Sequence, residues 1–204
     1  MSMGGHGRKP RGVTLVELVI TLSVLAILVT IAAPGFRDVW RRQQVQAVAD
    51  ALRADLTYAR HEAVQRASFV SLCPSSTGDE CSGDASYADG WIVYAYAVGA
   101  QGANRPYVAG TQGFTLLRRT VPSAVIAANA SDAGVVTFGR QGQFKSTPER
   151  ATLSWRVCAR ADGADVRQGE VTPGVPGVEL AMAGSGSLQR RPLTGDASCT
   201  PASP

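Results

Sequence analysis

Gly12-Val13-Thr14-Leu15-Val16-Glu17-Leu18-Val19-Ile20-Thr21 opens an apolar run that ends at Ala33-Pro34, and its reading decides the fold. From Val13 to Ala33 the run is about 21 residues, roughly 30 Å as a helix and long enough to span a bilayer. One carboxylate, Glu17, interrupts it near the start. A charge in such a segment costs about 2.5–3.5 kcal/mol on insertion scales, so it calls for a partner. Arg8, Lys9 and Arg11 stand just before the run.

Three fates fit a basic leader followed by an apolar run. A secretory signal peptide has an apolar core of about 7–15 residues with a small-residue cleavage site after it. Here the run is longer, and the small residue, Gly12, precedes it. An uncleaved anchor accommodates the run but leaves Gly12 and Glu17 unexplained. Cleavage after Gly12 keeps the helix on the mature chain and makes Glu17 its fifth residue.

The third pattern resembles the class III signal of type IV prepilins and type II secretion pseudopilins. Arg8, Lys9 and Arg11 before Gly12, then Thr14-Leu15, Glu17-Leu18, and Pro34 where many pilins kink the helix, carry the likeness. Val13 departs from it, because the family's mature chains usually begin with a methylated Phe. The resemblance implies that a prepilin peptidase/methyltransferase cuts between Gly12 and Val13; Val13 leaves methylation open. It implies a single-pass helix in the inner membrane, a cytoplasmic leader, a periplasmic globular domain, and later incorporation into a pilus or pseudopilus through the inner membrane assembly platform. It also implies a partner for Glu17, the α-amine exposed at Val13 of a neighbouring subunit. That pairing would set axial register, while apolar packing between the N-terminal helices of neighbouring pilins or pseudopilins supplies adhesion.

Composition bounds the remainder. At 204 residues there is room for one anchor helix and one globular domain of roughly 140 residues. The formal net charge is +4, but removing Arg8, Lys9 and Arg11 from the 20 basic residues leaves 17 against 16 acidic ones, a net of +1. No strong polyanion field follows from so small an excess. Arg37, Arg41 and Arg42 lie just beyond the span and compete with the leader in setting orientation.

Four cysteines, Cys73, Cys81, Cys158 and Cys199, follow the anchor on its exported side. An even count in an oxidising compartment reads as two disulfides. Three pairings are open; Cys73–Cys81, closing a short loop, and Cys158–Cys199, tying down the C-terminal tail, are favoured. Each would contribute about 2–4 kcal/mol. Zinc is disfavoured by the lack of a C-x-x-C pair or a nearby His.

Beyond Pro34 the helical pattern resumes. Val45, Val48, Leu52, Leu56, Ala59 and Ala63 form one stripe, with Arg53, Arg60 and Arg66 off it. The spacing predicts a long helix from about Val13 to Ala67, kinked near Pro34-Gly35: a membrane or filament-core part over 13–36 and an amphipathic part over 37–67. Residues 1–12 are the expected leader and 68–204 the globular β-rich domain. Strands are predicted at 68–73, 90–96, 114–121, 134–138, 143–145, 152–159 and 178–183, with a hairpin turn at 138–143. Loops are predicted at 97–113 and 161–177. No internal repeat is visible. The fold class is α+β, a long N-terminal helix packed on an antiparallel sheet in a pilin-like arrangement.

Several domain motifs narrow the resemblance. The chain runs Ala59-Arg60-His61-Glu62-Ala63, Leu72-Cys73-Pro74-Ser75, Cys81 and Asp89-Gly90-Trp91-Ile92-Val93. Val136-Thr137-Phe138, Gly142, Cys158 and Cys199 follow. This order is similar to the FimT/FimU minor pilins and the related GspH pseudopilins, over nearly the whole mature chain. The resemblance implies a low-abundance structural subunit that primes, caps or is inserted into a type IV pilus, or the same role in a type II secretion pseudopilus.

Some FimT-type proteins bind DNA through arginines in a C-terminal Gly-Arg-x-Arg motif. Here Gly186 is followed by Ser187-Leu188-Gln189-Arg190-Arg191, so those arginines do not carry over by position. Arg190 and Arg191 remain candidates for weak, salt-dependent DNA contact, with Arg140 or Lys145 as neighbours; a solvated turn before Pro192 is the preferred reading. Catalysis is not expected. His61 is the one histidine after the leader, and no nucleophile motif, metal-ligand cluster or phosphate-cradling loop is present. Asp79, Glu80, Asp84 and Asp89 lack calcium-loop spacing and read as a solvated acidic loop. No cofactor or metal is expected, and Trp91 and Trp155 read as core.

Overall fold

A computed structural model describes residues 12–99, 101–145, 147, 150–161, 163–195 and 197–203; the leader's Arg8, Lys9 and Arg11 and the side chain of Pro34 lie outside the described residues. The chain forms two compact units, the first ending at Asp38 and the second beginning at Val39. Helix α1 (Leu15–Gln65) supplies the secondary structure of the first unit and the opening element of the second. Among the described residues no single helix is long and apolar enough to cross a membrane. Leu15–Thr30 and Gly35–Gln65 meet the requirement together, with a break between them where the kink is expected.

In the first unit every described side chain from Val13 to Thr30 is exposed, most of them large and apolar. An apolar surface of that length requires a membrane or other helices to cover it.

The second unit encloses its stretch of α1 between two antiparallel sheets. The first sheet contains β1 (Phe69–Pro74), β2 (Trp91–Tyr96), β3 (Phe114–Thr120) and β5 (Val136–Phe138), in the order β3-β2-β1-β5. The second contains β4 (Ile126–Ala130), β6 (Thr152–Arg160), β8 (Gly177–Ala183) and β9 (Leu188–Leu193), in the order β4-β6-β8-β9, with the short β7 (Gly169–Glu170) also paired to β6. The stripe expected on the helix is the buried one: Val45, Val48, Leu52, Leu56, Ala59 and Ala63 join Leu72, Trp91, Phe138, Trp155 and Leu180 in one core. Helix and sheets thus share a single apolar interior rather than two stacked ones.

A buried carboxylate pins the helix to the first sheet. Asp55 is 3% exposed and lies within the apolar stripe. Its Oδ2 accepts hydrogen bonds from Trp91 Nε1 at 2.8 Å and Thr120 Oγ1 at 2.6 Å, and its Oδ1 accepts from Arg118 Nη1 at 2.6 Å. Three donors satisfy a charge that burial alone would make costly. The Arg118 guanidinium also lies 4.1 Å over the Tyr58 ring, which holds it against the helix.

Each sheet has a second buried face. Beyond β1 and β2, Phe69, Cys73, Ile92, Tyr94, Tyr96 and Tyr107 form a satellite core under the 97–113 loop. Tyr94 donates its hydroxyl to Arg105 O at 2.6 Å, fastening that loop. Beyond β4 and β6, Ala127, Cys158, Leu193 and Cys199 form another under the C-terminal tail. The two sheets are joined at an edge: Tyr87 N–H donates to Ala128 O at 2.7 Å and Ala130 N–H to Ala85 O at 2.8 Å, so the β1–β2 loop extends the second sheet past β4.

The architecture has more strands than the periodicity announces. Ile126-Ala127-Ala128-Asn129-Ala130 is β4, a fully buried strand in which Ile126 alone is of the β-branched or aromatic type that marks strands in a sequence. Leu188–Leu193 is β9, where a solvated turn was the preferred reading; Arg190, Arg191 and Pro192 are tolerated because the strand is an edge. Residues 143–145 do not form a strand but return through a single bridge between Phe144 and Phe138. The 161–177 loop contains β7.

Burial pushes the phenols of Tyr87 and Tyr94 far above the ordinary tyrosine range, because an ionised phenolate would lose its hydration. A folded value above the unfolded one means that the stability linked to these groups is intact below about pH 10 and is lost as pH rises further. Absorbance titration at 295 nm should therefore show Tyr87 and Tyr94 ionising only as the protein unfolds. Free ionisation of all five tyrosines near pH 10 would contradict this packing. Asp55→Ala should lower stability by about 1–3 kcal/mol in thermal or denaturant unfolding, because it leaves the buried Trp91 N–H without its acceptor. Arg118→Ala should cost about 1–3 kcal/mol in the same measurement, because it takes the cation from a buried carboxylate and leaves it two neutral donors.

Candidate assembly site

The N-terminal segment is organised by its own backbone. Gly12 to Thr14 precede the helix, and Thr14 occupies the N-cap. Thr14 Oγ1 accepts the Glu17 N–H at 3.2 Å and Thr14 O accepts the Leu18 N–H at 3.1 Å. Thr14-x-x-Glu17 is capping-box spacing, and it places a carboxylate in the first turn, where the helix dipole favours negative charge. The cap itself is made by Thr14, through the Glu17 and Leu18 backbone N–H groups. Farther along, Thr21, Ser23 and Thr30 donate their hydroxyls to the carbonyls of Leu18, Val19 and Ile27 at 2.9, 2.8 and 2.7 Å. These bonds satisfy the hydroxyls inside the helix, as a lipid or dry helical environment demands. Glu17 is the one ionisable side chain between Val13 and Thr30, and it is exposed. Gly12 and Val13 are also exposed, outside regular structure ahead of the cap.

Cys73 is bonded to Cys81 and Cys158 to Cys199 in the structure. Each bond sits in one of the two satellite cores. Gly169 of β7 packs directly on the second: a Cβ there would lie 2.7 Å from both Cys158 Cβ and Cys199 Sγ.

Arg190 and Arg191 stand on the exposed β9 edge. Arg190 Nε lies 4.0 Å from Asp50 Oδ1 on the helix, and Arg191 donates to Gln189 Oε1 at 2.9 Å. Lys145 instead lies over the Phe69 ring of β1, at 5.8 Å, so it belongs to the first sheet's surroundings. In the acidic loop, Asp84 Oδ1 accepts from Ser82 Oγ and the Ser86 N–H, and its Oδ2 pairs with Arg167 at 3.3 Å. Among the described residues no group of three or more His, Cys, Asp or Glu is gathered in a metal-binding arrangement.

Two further features are legible in the sequence. The Thr-x-x-Glu spacing immediately before an apolar run is a helix-start signal in its own right. Asp55, three residues after Leu52 and next to Leu56, marks a polar group on a buried stripe and so a carboxylate in need of donors.

Comparison with known proteins bears on both halves of the chain. The model for a prokaryotic N-terminal methylation motif matches residues 7–33, and that for the type II transport protein GspH matches residues 48–173. The chain belongs to the GspH family. Two crystal forms of the type IV minor pilin FimU from Pseudomonas aeruginosa PAO1 are similar in structure. The first is 22% identical with a TM-score of 0.50, covering 78% of this chain and 96% of FimU. The second is 22% identical with a TM-score of 0.47, covering 76% and 98%. No curated protein matches the chain. This GspH-family member therefore has the pilin-like α+β fold expected of it, with a second sheet added to the expected one.

Gly169→Ala should destabilise the oxidised protein by about 1–3 kcal/mol through overpacking against the Cys158–Cys199 bridge. Unfolding curves with and without the substitution check this, and coincident curves would mean that β7 yields without cost.

Proposed function

We propose that this chain is a minor pilin, a structural subunit that primes, caps or is inserted into a type IV pilus. The observation that carries this reading is an exposed apolar helix bearing one carboxylate, Glu17, attached to a pilin-like globular unit. Prepilin peptidase cleavage between Gly12 and Val13 would leave that helix at the mature N-terminus. The protein would then sit once across the inner membrane with its globular unit in the periplasm, until the assembly platform moves it into a filament. There the Glu17 carboxylate of one subunit would meet the Val13 amine of the next, and the flanking aliphatic side chains would bury one another. No catalytic role is assigned.

The family description supports a second reading with the same physics, a pseudopilin of a type II secretion system. DNA contact through Arg190 and Arg191 is a lesser reading. The exposed edge strand supports it, and the Asp50 carboxylate facing Arg190 weakens it.

Intact mass and N-terminal sequencing of the protein from native membranes should give a chain beginning at Val13, with or without one methyl group. Gly12→Leu should retain residues 1–12. Wild-type protein that keeps its leader would overturn the processing step. Glu17→Leu should leave insertion and folding intact while reducing incorporation into filaments at least tenfold; normal incorporation would mean that the carboxylate has no register role.

A further inference from the structure

On the exposed side of α1, the helix and two glycine turns enclose a groove of about 460 Å³. The turns are centred on Gly142 (φ +75°) and Gly186 (φ +77°), backbone conformations that side-chain-bearing residues rarely adopt. They are also tightly seated: a Cβ on Gly186 would lie 2.8 Å from Gly142 O, and one on Gly142 would lie 3.1 Å from Arg60 Nε. Arg60 Nη1 donates to Gly186 O at 3.3 Å, so the arginine both supports this wall and presents its guanidinium at the groove. Arg53, Thr57, Arg60 and His61 fall on successive turns of one helix face and line the helical side.

The lining holds two guanidiniums, an imidazole, a hydroxyl and the amides of Gln65 and Gln141, with no carboxylate among the described residues; Asp50 shares the adjoining hollow with Arg53, Thr57 and His61. Among the described residues Arg53 and His61 have no ion-pair partner, and the nearby Asp50 lies 4.0 Å from Arg190. Glu62, the acid next along the helix, is paired with Arg66. Positive charge is therefore left uncompensated in a concave site of a protein that is nearly neutral once its leader is removed. Arg60 is held by its bond to Gly186 O, and guanidiniums favour planar oxyanions, which they bind through paired N–H donors.

We propose that this groove receives an acidic segment of a neighbouring subunit, with one or two Asp or Glu side chains entering between Arg53 and Arg60. The volume suits a few side chains, and Asp50 at its end breaks the positive track before it reaches Arg190, which disfavours a continuous phosphate polymer. The inference rests on the reading of this chain as a filament subunit but not on any role for Glu17. The Glu17 contact would hold helices together in the apolar layer; this one would select the neighbour at the level of the globular unit.

The test is a titration of the full chain in detergent micelles, following the His61 ring resonances. The probes are a blocked tetraglutamate peptide, its tetraglutamine counterpart, inorganic phosphate and a short oligothymidylate. The glutamate peptide should give saturable shifts and the glutamine peptide none. Its affinity should fall at least tenfold in Arg53→Glu and be unchanged in Arg190→Ala/Arg191→Ala and in Glu17→Leu. Arg60→Lys, which keeps the charge but loses the fork, should weaken it less than Arg53→Glu; unchanged disulfide protection would show that these variants are folded. Saturation by phosphate or oligothymidylate without the glutamate peptide would reassign the groove to phosphate. Absence of saturation by every probe, or glutamate binding that survives Arg53→Glu, would overturn the proposal. In cells, Arg53→Glu should impair incorporation with processing at Gly12 intact. Failure of processing itself would instead count against the filament-subunit reading.

Discussion

The carboxylate of Asp55 is the constraint on which the arrangement of the second unit turns. A charge buried on the apolar stripe of a helix is tolerable only where donors converge, and here they come from two adjacent strands, through Trp91 on β2 and Arg118 and Thr120 on β3. The apolar contacts of Leu52 and Leu56 would accept some sliding or rotation of the helix over the sheet. Hydrogen bonds of 2.6–2.8 Å to three side chains would not. The carboxylate therefore supplies register between helix and sheet, whereas the surrounding side chains supply most of the adhesion. The same division of labour is proposed for Glu17, with register and adhesion then acting between subunits instead of within one.

Enclosing a helix with two sheets creates a difficulty at the outer faces of those sheets. A sheet buried on both sides needs something beyond it, and here the covers are irregular: the 97–113 loop over β1 and β2, and the C-terminal tail over β4 and β6. Irregular segments have few backbone bonds to hold them and considerable conformational entropy to lose. The two disulfides are placed at these covers. Cys81 receives a bond from the Tyr107 N–H of the first loop, and Cys199 carries the tail back to Cys158 on β6. The bridges therefore fasten the least regular parts of the domain, while the main core of helix and sheet closes through packing.

What was legible in the sequence followed the strength of its periodic signal. The stripe from Val45 to Ala63 holds a strict helical spacing over five turns, and each of its members is buried. Strands β1, β2, β6 and β8 carry β-branched and aromatic residues and were placed to within a residue or two. Strand β4, with three alanines and an asparagine, has no local signature; long-range pairing with β6 and with the 84–87 loop makes it a strand. Strand β9 was obscured by Arg190, Arg191 and Pro192, which resemble a turn until the strand is known to be an edge. For the candidate assembly site, Gly12 and Glu17 stand out in the sequence because each violates its surroundings. The groove beside Arg60 does not, since it joins helix residues to turns that are far away in the sequence.

On the proposed export of the globular unit, the position of the second bridge sets an order of events. Cys199 comes after every strand, so the outer face of the second sheet cannot be sealed until the last strand, β9, has also been delivered. The Cys73–Cys81 loop, by contrast, can close while most of the domain is still being threaded. Export of such a chain would yield first a tethered helix with half of its cover in place, and only later a sealed unit. Oxidation of the final cysteine would then mark the moment at which the subunit has a finished surface to offer its neighbours.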